Sequence, residues 1–145
     1  MQLTGVKFFT EKQVDGITCG SGVMGELPGA MAADDFIMML KREFDVECVQ
    51  CNQLLRRPIR TVAICGGAGS FLLPEAIAAG ADAFVTGEMH YHDYFAHEQE
   101  IQIAVIGHYQ SEQYTYEIFK SIIEEQCEGV RCVVTSQNTN PIIYL

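Results

Sequence analysis

Residues 61–70 read Thr61-Val-Ala-Ile-Cys-Gly-Gly-Ala-Gly-Ser70. Thr61 to Cys65 is a short, continuously apolar, β-rich run, as expected of a strand covered on both faces. Gly66, Gly67 and Gly69 make a tight turn. Phe71 to Ala79 then reads as a helix, with Ser70 as its N-cap and Gly80 as its stop. Pro74 falls near the first turn, where a missing N–H costs least.

The same alternation continues outward. Ala83 to Thr86 reads as a strand, Gly87 to Tyr91 as a loop and His92 to about Glu98 as a short helix. Gln102 to Ile106 is the next strand. Gln110 to Glu125 reads as one long amphipathic helix, with Tyr114, Ile118 and Ile122 at helical spacing. Arg131 to Thr135 closes as a further strand. Strands and helices alternating in this way imply βαβ units, hence an α/β fold with a mostly parallel sheet flanked by helices. Upstream, Ala33 to Phe44 is expected to be helical, with Phe36, Ile37, Leu40 and Phe44 on one face. Gly16 to Val23 is expected to form a strand with a turn, and residues 1–15 receive no assignment.

The length of 145 residues suits a single α/β domain, residues 1–145, with a substantial core. Apolar content of 48% and charged content of 19% are ordinary for a globular chain. No apolar run is long enough to span a bilayer, and Met1 to Thr10 lacks the apolar stretch of a secretion signal. The expectation is a soluble, cytoplasmic protein without a membrane partner. A net charge of −10 argues against general nucleic-acid binding, which draws its affinity from phosphate neutralisation. Arg56, Arg57 and Arg60 are the only basic cluster and read as a solvated loop. Six cysteines without a secretion signal do not imply disulfides. Cys48-Val-Gln-Cys51 lacks the second pair that a zinc ribbon needs, so Cys48 reads as a small apolar core residue of a strand.

Four segments carry candidate chemistry. Gly20-Ser-Gly-Val-Met-Gly25 matches a dinucleotide fingerprint in spelling only, because Glu26-Leu-Pro-Gly29 continue as a loop where a helix is required. Gly66, Gly67, Gly69 and Ser70 lie between a strand and a helix, where backbone N–H groups can cradle an anion. A close-packed turn explains them equally well. The turn lacks the Gly-Lys-Ser/Thr ending of a P-loop.

Ile106-Gly-His-Tyr-Gln-Ser-Glu112 follows an apolar strand and opens a helix. His108 therefore stands at a strand's carboxyl end, where open α/β sheets bind ligands, and Glu112 lies four residues on, on the same helical face. Imidazole and carboxylate together suit zinc, iron or manganese. Glu88-Met-His-Tyr-His-Asp93 follows the neighbouring strand. His90 and His92, two apart, are candidates for the same edge, and Asp93 is a candidate to orient a ring nitrogen. His97 reads as a surface residue.

Taken in order, Gly22-Val-Met-Gly-Glu-Leu-Pro28, Val62 to Ser70, Ala79 to Glu88, Tyr91-His-Asp93 and Gly107-His-Tyr-Gln-Ser-Glu112 resemble the C-terminal part of the Nif-three-like family. These are dinuclear-metal proteins, homologues of GTP cyclohydrolase I type 2. The resemblance implies that His108 and Glu112 are metal ligands and that His92 lies near the metals in a proton-transfer role. It implies a metal-dependent hydrolase, a nucleotide-like small-molecule partner and a homo-oligomer, a toroidal hexamer in many members. His90 stands where the family often has Lys, and is a candidate additional ligand. Family members are markedly longer, and their N-terminal half supplies a His-His-Pro motif and an Asp that do not occur here. The expectation is thus a C-terminal piece with an incomplete dinuclear site, weak in metal binding and catalysis. Residues 1–15 are expected to be the tail of an inserted domain. The alternative is a non-catalytic, metal-binding or regulatory scaffold that works through protein partners.

Overall fold

A computed structural model describes residues 1–143. It holds a six-stranded sheet in the order β1-β2-β4-β5-β6-β3. The strands are β1 (Thr4–Val14), β2 (Ile17–Met31), β3 (Gln50–Cys51), β4 (Ile59–Cys65), β5 (Ala83–Thr86) and β6 (Gln102–Val105). The helices are α1 (Ala33–Glu43), α2 (Leu73–Ala78), α3 (His108–Glu112) and α4 (Thr115–Gln126).

The expected parallel unit is present at the centre. β4 pairs parallel with β5, and β5 with β6, so that Cys65, Thr86 and Val105 end the three strands side by side. The sheet as a whole is mixed, however, and "mostly parallel" is corrected. β1 with β2, β2 with β4, and β3 with β6 all pair antiparallel. For the first of these pairs the reason lies in Asp15-Gly16, whose backbones both have positive φ (51° and 79°) between the paired Val14 and Ile17. This is the two-residue turn that joins antiparallel strands. Residues 4–14, unassigned in the sequence, are therefore an edge strand of the sheet.

Strands β4, β5 and β6 alternate between two covered faces, as parallel strands must. Val62, Ala83, Val85 and Ala104 pack with Phe36 and Leu40 of α1, together with Leu27 and Ile59. Ala63, Phe84, Ile103 and Val105 pack on the other side with Leu72, Leu73 and Ala76.

Several local expectations are revised. Ser70–Leu72 forms a 3₁₀ turn ahead of α2, and no side chain caps either element. Gly80 does stop α2: with φ +77°, it donates its N–H to Ile77 O, and Ala81 donates to Ala76 O, a Schellman closure. Glu26 to Met31 extends β2 instead of forming a loop, and Pro28 sits where the pairing register shifts between Glu26 and Met31. Tyr91–Tyr94 is a single 3₁₀ turn, shorter than the expected helix. The long C-terminal helix is two helices, α3 and α4, and Arg131 to Thr135 has no regular structure. Cys48 lies outside β3 and is exposed, so it is not a core residue. The arginines are not simply solvated. Arg57 pairs with Asp82 and donates to Glu100 O, while Arg60 pairs with Glu26 at 2.9 Å.

Candidate metal-binding site

The carboxyl ends of β4, β5 and β6 deliver three segments to one point: Gly66-Gly67, Gly87-Glu88 and Gly107-His108. Gly107, at φ +96°, turns the chain out of β6 so that His108 becomes the first residue of α3. Glu112 then follows one turn later, and its Oε2 lies 3.2 Å from Nε2 of His108. On the opposite side of the ring, Oε1 of Glu88 lies 2.7 Å from Nδ1. The imidazole is held between two carboxylates, one from its own helix and one from the exit of the adjacent strand. The Glu88 hydrogen bond chiefly raises the His108 pKa above its usual value. Slight burial opposes this, and the charges of Glu112 and Glu88 reinforce it.

Small residues make this approach possible. A Cβ on Gly67, itself at φ +62°, would come within 2.6 Å of Glu112 Oε1. A Cβ on Gly87 would come within 2.6 Å of Ser111 Oγ and 2.7 Å of Gly67 O. Ser111 locks the arrangement: its hydroxyl donates to His108 O and accepts from Gly67 N–H, each at 2.8 Å. Buried Thr86 does the same one layer down, donating to Gly67 O and accepting from Gly69 N–H.

The other sequence candidates fall around this cluster. Glu88, His90 and His108 line a cavity of about 340 Å³ together with Cys48, Gln50 and Ser70. The His90 side chain is largely solvent-exposed, 3.5 Å from Asp93. His92 is not brought to that cavity's wall; its ring packs against Tyr91 and Phe95 at centroid distances of 5.4 and 6.3 Å. Of the glycine turn, the amides of Gly67 and Gly69 are already engaged by Ser111 and Thr86, whereas Ala68 and Ser70 face the cavity. His97 is half-buried and bonded to Glu100 at 2.7 Å.

Two features escaped the sequence reading. Glu88 carries no local signal within Glu88–Asp93; its position just past β5, parallel and adjacent to β6, is the signal that places it beside His108. Ser111 was also passed over, although its place between His108 and Glu112 puts it on the side of α3 that meets the glycine turns.

Among the described residues, no three His, Cys, Asp or Glu side chains converge as a metal-holding group. The geometry explains why. Nδ1 and Nε2 point away from one another, so Glu88 and Glu112 cannot share an ion with the same ring nitrogen. Nε2 and Glu112 Oε2, 3.2 Å apart, fit as two donors to one ion of ordinary zinc-ligand bond lengths. Glu88 fits as the outer carboxylate that fixes the ring.

A family model described as Duf34/NIF3 (NGG1p interacting factor 3) matches residues 1–141. The chain belongs to the DUF34/NIF3 family. A GTP cyclohydrolase 1 type 2 homolog of Staphylococcus epidermidis is 33% identical over 130 residues, covering 86% of this chain and 35% of the relative. One from Halalkalibacterium halodurans is 29% identical over 135 residues, covering 90% and 36%. This DUF34/NIF3 chain thus spans about a third of the length of the curated relatives it matches. Among solved structures, a Bacillus cereus protein related to NIF3 superposes with a TM-score of 0.75 at 28% identity, over 91% of this chain and 38% of that one. A Staphylococcus aureus hypothetical protein gives 0.78 at 27% identity, over 89% and 46%.

Proposed function

We propose that this DUF34/NIF3 chain carries part of a divalent-metal centre, with His108 and Glu112 as ligands and Glu88 as the carboxylate that orients the His108 ring. The observation that supports it most is the placement of His108 between Glu88 and Glu112 at the carboxyl ends of three aligned strands. Zinc, iron and manganese all suit a His-plus-carboxylate pair. A bound divalent ion would supply electrophilic polarisation of a substrate oxygen and lower the pKa of water. Two donors leave most of a coordination sphere unfilled, so the chain alone is expected to bind metal weakly and to be a poor catalyst.

In this reading the parent activity is that of a metal-dependent hydrolase, and the names of the relatives point toward a nucleotide-like substrate. The cavity beside Glu88 and His108 is the place for that substrate, with Ala68 and Ser70 available to an anionic group. His92 would act in proton transfer only after its ring turns away from Tyr91 and Phe95. His90 already borders the cavity and is the nearer candidate for an additional ligand. A homo-oligomer, hexameric as the resemblance implies, and a cytoplasmic location belong to the same proposal. Among the described residues, no helix is long and apolar enough to cross a membrane.

The alternative, a non-catalytic metal-binding or regulatory scaffold, draws support from the apolar, exposed α4. Metal content and chelator competition at neutral pH, compared between wild type and His108→Ala, test the first reading. Metal retained equally by both proteins would refute ligation by His108. Metal lost in the variant, with no hydrolysis by a metal-loaded full-length relative, would favour the scaffold.

A further inference from the structure

The 3₁₀ turn Tyr91–Tyr94, with Phe95 directly after it, gathers three aromatic side chains beside the edge strand β3. Tyr91 is 72% exposed and Phe95 51%. Their rings meet edge to face, with centroids 5.0 Å apart and planes at 79°, and so stand as two walls at nearly a right angle. Tyr94 adds a third ring, its hydroxyl buried. All three line one cleft of about 620 Å³, a size typical of small-molecule sites. Single exposed apolar side chains are ordinary on a protein surface, but adjoining ones that share a cleft mark a place of binding.

The polar groups of the cleft select its occupant. Among the described residues that line it, Glu98 is the only one charged at neutral pH, and none is basic. Of the amide side chains, Asn52 donates to Ile101 O and accepts from Gln102 and from Ile103 N–H, while Gln53 accepts from Gln99 at 3.4 Å. A neutral heterocycle would need a matched set of free donors and acceptors, and few are left. A cation has no such need, because the faces of aromatic rings carry the negative side of their quadrupole. The net charge of −10 adds a long-range attraction for cations. We propose that the cleft of Tyr91, Tyr94 and Phe95 binds a small free organic cation of the alkylated ammonium type, its methyl groups against the rings and its charge toward Glu98. An alkylated nitrogen suits these walls better than a bare ammonium, since it has few hydrogen bonds to water to give up. Gln50 borders both this cleft and the His108 cavity, but the cation site uses neither His108 nor Glu112, so its occupancy needs no metal.

The test is a titration of the chain, with a chelator present, by choline and by its neutral isostere, in which a tert-butyl group replaces the trimethylammonium. Ring-proton NMR signals report the binding. Expected are saturable shifts at Tyr91 and Phe95 with choline, and binding of the neutral isostere weaker by about tenfold, the order of effect of cation–ring contacts in a partly dry site. Glu98→Gln should weaken choline several-fold and leave the isostere unaffected. Tyr91→Leu with Phe95→Leu keeps the walls apolar but removes the ring faces, so the preference for choline should vanish. Neither side chain is buried, and circular dichroism of the double variant should match wild type. Equal affinity for choline and its isostere would overturn the proposal, since apolar burial alone would then account for the cleft. So would choline shifts that do not saturate, or a preference for choline that survives the double variant. A trimethyl-lysine peptide that binds where choline does not would also overturn it, by assigning the cleft to a protein partner.

Discussion

Glu88 leaves β5 and His108 leaves β6, and the two side chains meet with Oε1 2.7 Å from Nδ1. That contact holds the ring so that Nε2 faces Glu112. In histidine ligands, the partner on the second nitrogen fixes tautomer and orientation, and its removal typically costs 10- to 100-fold in metal affinity. Glu88→Ala should therefore weaken metal binding by roughly that factor without changing the fold, since the Glu88 side chain is half-exposed. Chelator competition on wild type and variant measures it. Identical affinities would mean that the pair is an ordinary surface contact, which typically contributes about 0–1 kcal/mol.

Gly67 and Gly87 should respond differently to the same added methyl group. At Gly67 the added Cβ meets the end of the Glu112 side chain, which can swing into solvent, although φ +62° adds strain of about 1–2 kcal/mol. Gly67→Ala should displace Glu112 and lower metal affinity with modest loss of stability. At Gly87 the new atom meets Gly67 O at 2.7 Å and Gly67 N at 3.0 Å, backbone that cannot rotate away. Gly87→Ala should cost about 1–3 kcal/mol as the strand ends are pushed apart. Urea denaturation beside metal titration separates the two cases; equal losses in both assays would contradict this account.

At the opposite end of the parallel strands, Asp82 accepts N–H bonds from Arg60 at 3.0 Å and Thr61 at 2.9 Å and pairs with Arg57. Burial pushes its pKa up, but the two backbone donors and the guanidinium together hold it below the ordinary carboxylate value. A depressed folded-state pKa contributes stability that is fully present above the unfolded value, near pH 4, and is lost as pH falls through the lower folded value. Stability measured between pH 6 and pH 2 should therefore decline on the acid side. Asp82→Asn should be less stable at neutral pH and flatter in acid. Parallel wild-type and variant curves would rule out Asp82 as a source of the acid sensitivity.

The legible part of the fold was the part whose signals are local. Thr61–Cys65, Ala83–Thr86 and Gln102–Val105 are short apolar runs punctuated by glycine, and β4, β5 and β6 lie there. The antiparallel half was harder, because β1 carries charges at Lys7, Glu11 and Lys12 on an edge strand, where one side meets water. Its readable signal was the Asp15-Gly16 turn, which the sequence reading passed over. Arg131–Thr135 failed for a different reason: strand propensity is realised only against a sheet, and none reaches that segment. His108 and Glu112 were legible because they share one turn of helix. Glu88 was not, since its pairing with His108 depends on the β5–β6 register, a long-range fact.

Gln102 shows how a polar side chain inside β6 shapes the cavity wall. It is fully buried, its Oε1 accepts from Leu55 N–H at 3.0 Å, and its Nε2 donates to Asn52 Oδ1 at 2.8 Å. Asn52 in turn accepts from Ile103 N–H and donates to Ile101 O, both at 2.9 Å. The network fastens residues 52–55 to β6, just after Gln50 and Cys51 form β3. Gln102→Leu leaves Leu55 N–H buried without its partner, which costs about 1–3 kcal/mol. The expected outcome is a destabilised chain in which the amide of Leu55 exchanges faster while those of β5 keep their protection relative to global stability. Uniform loss across the sheet would show instead that Gln102 supports the whole core and not the local wall formed by Cys48 and Gln50.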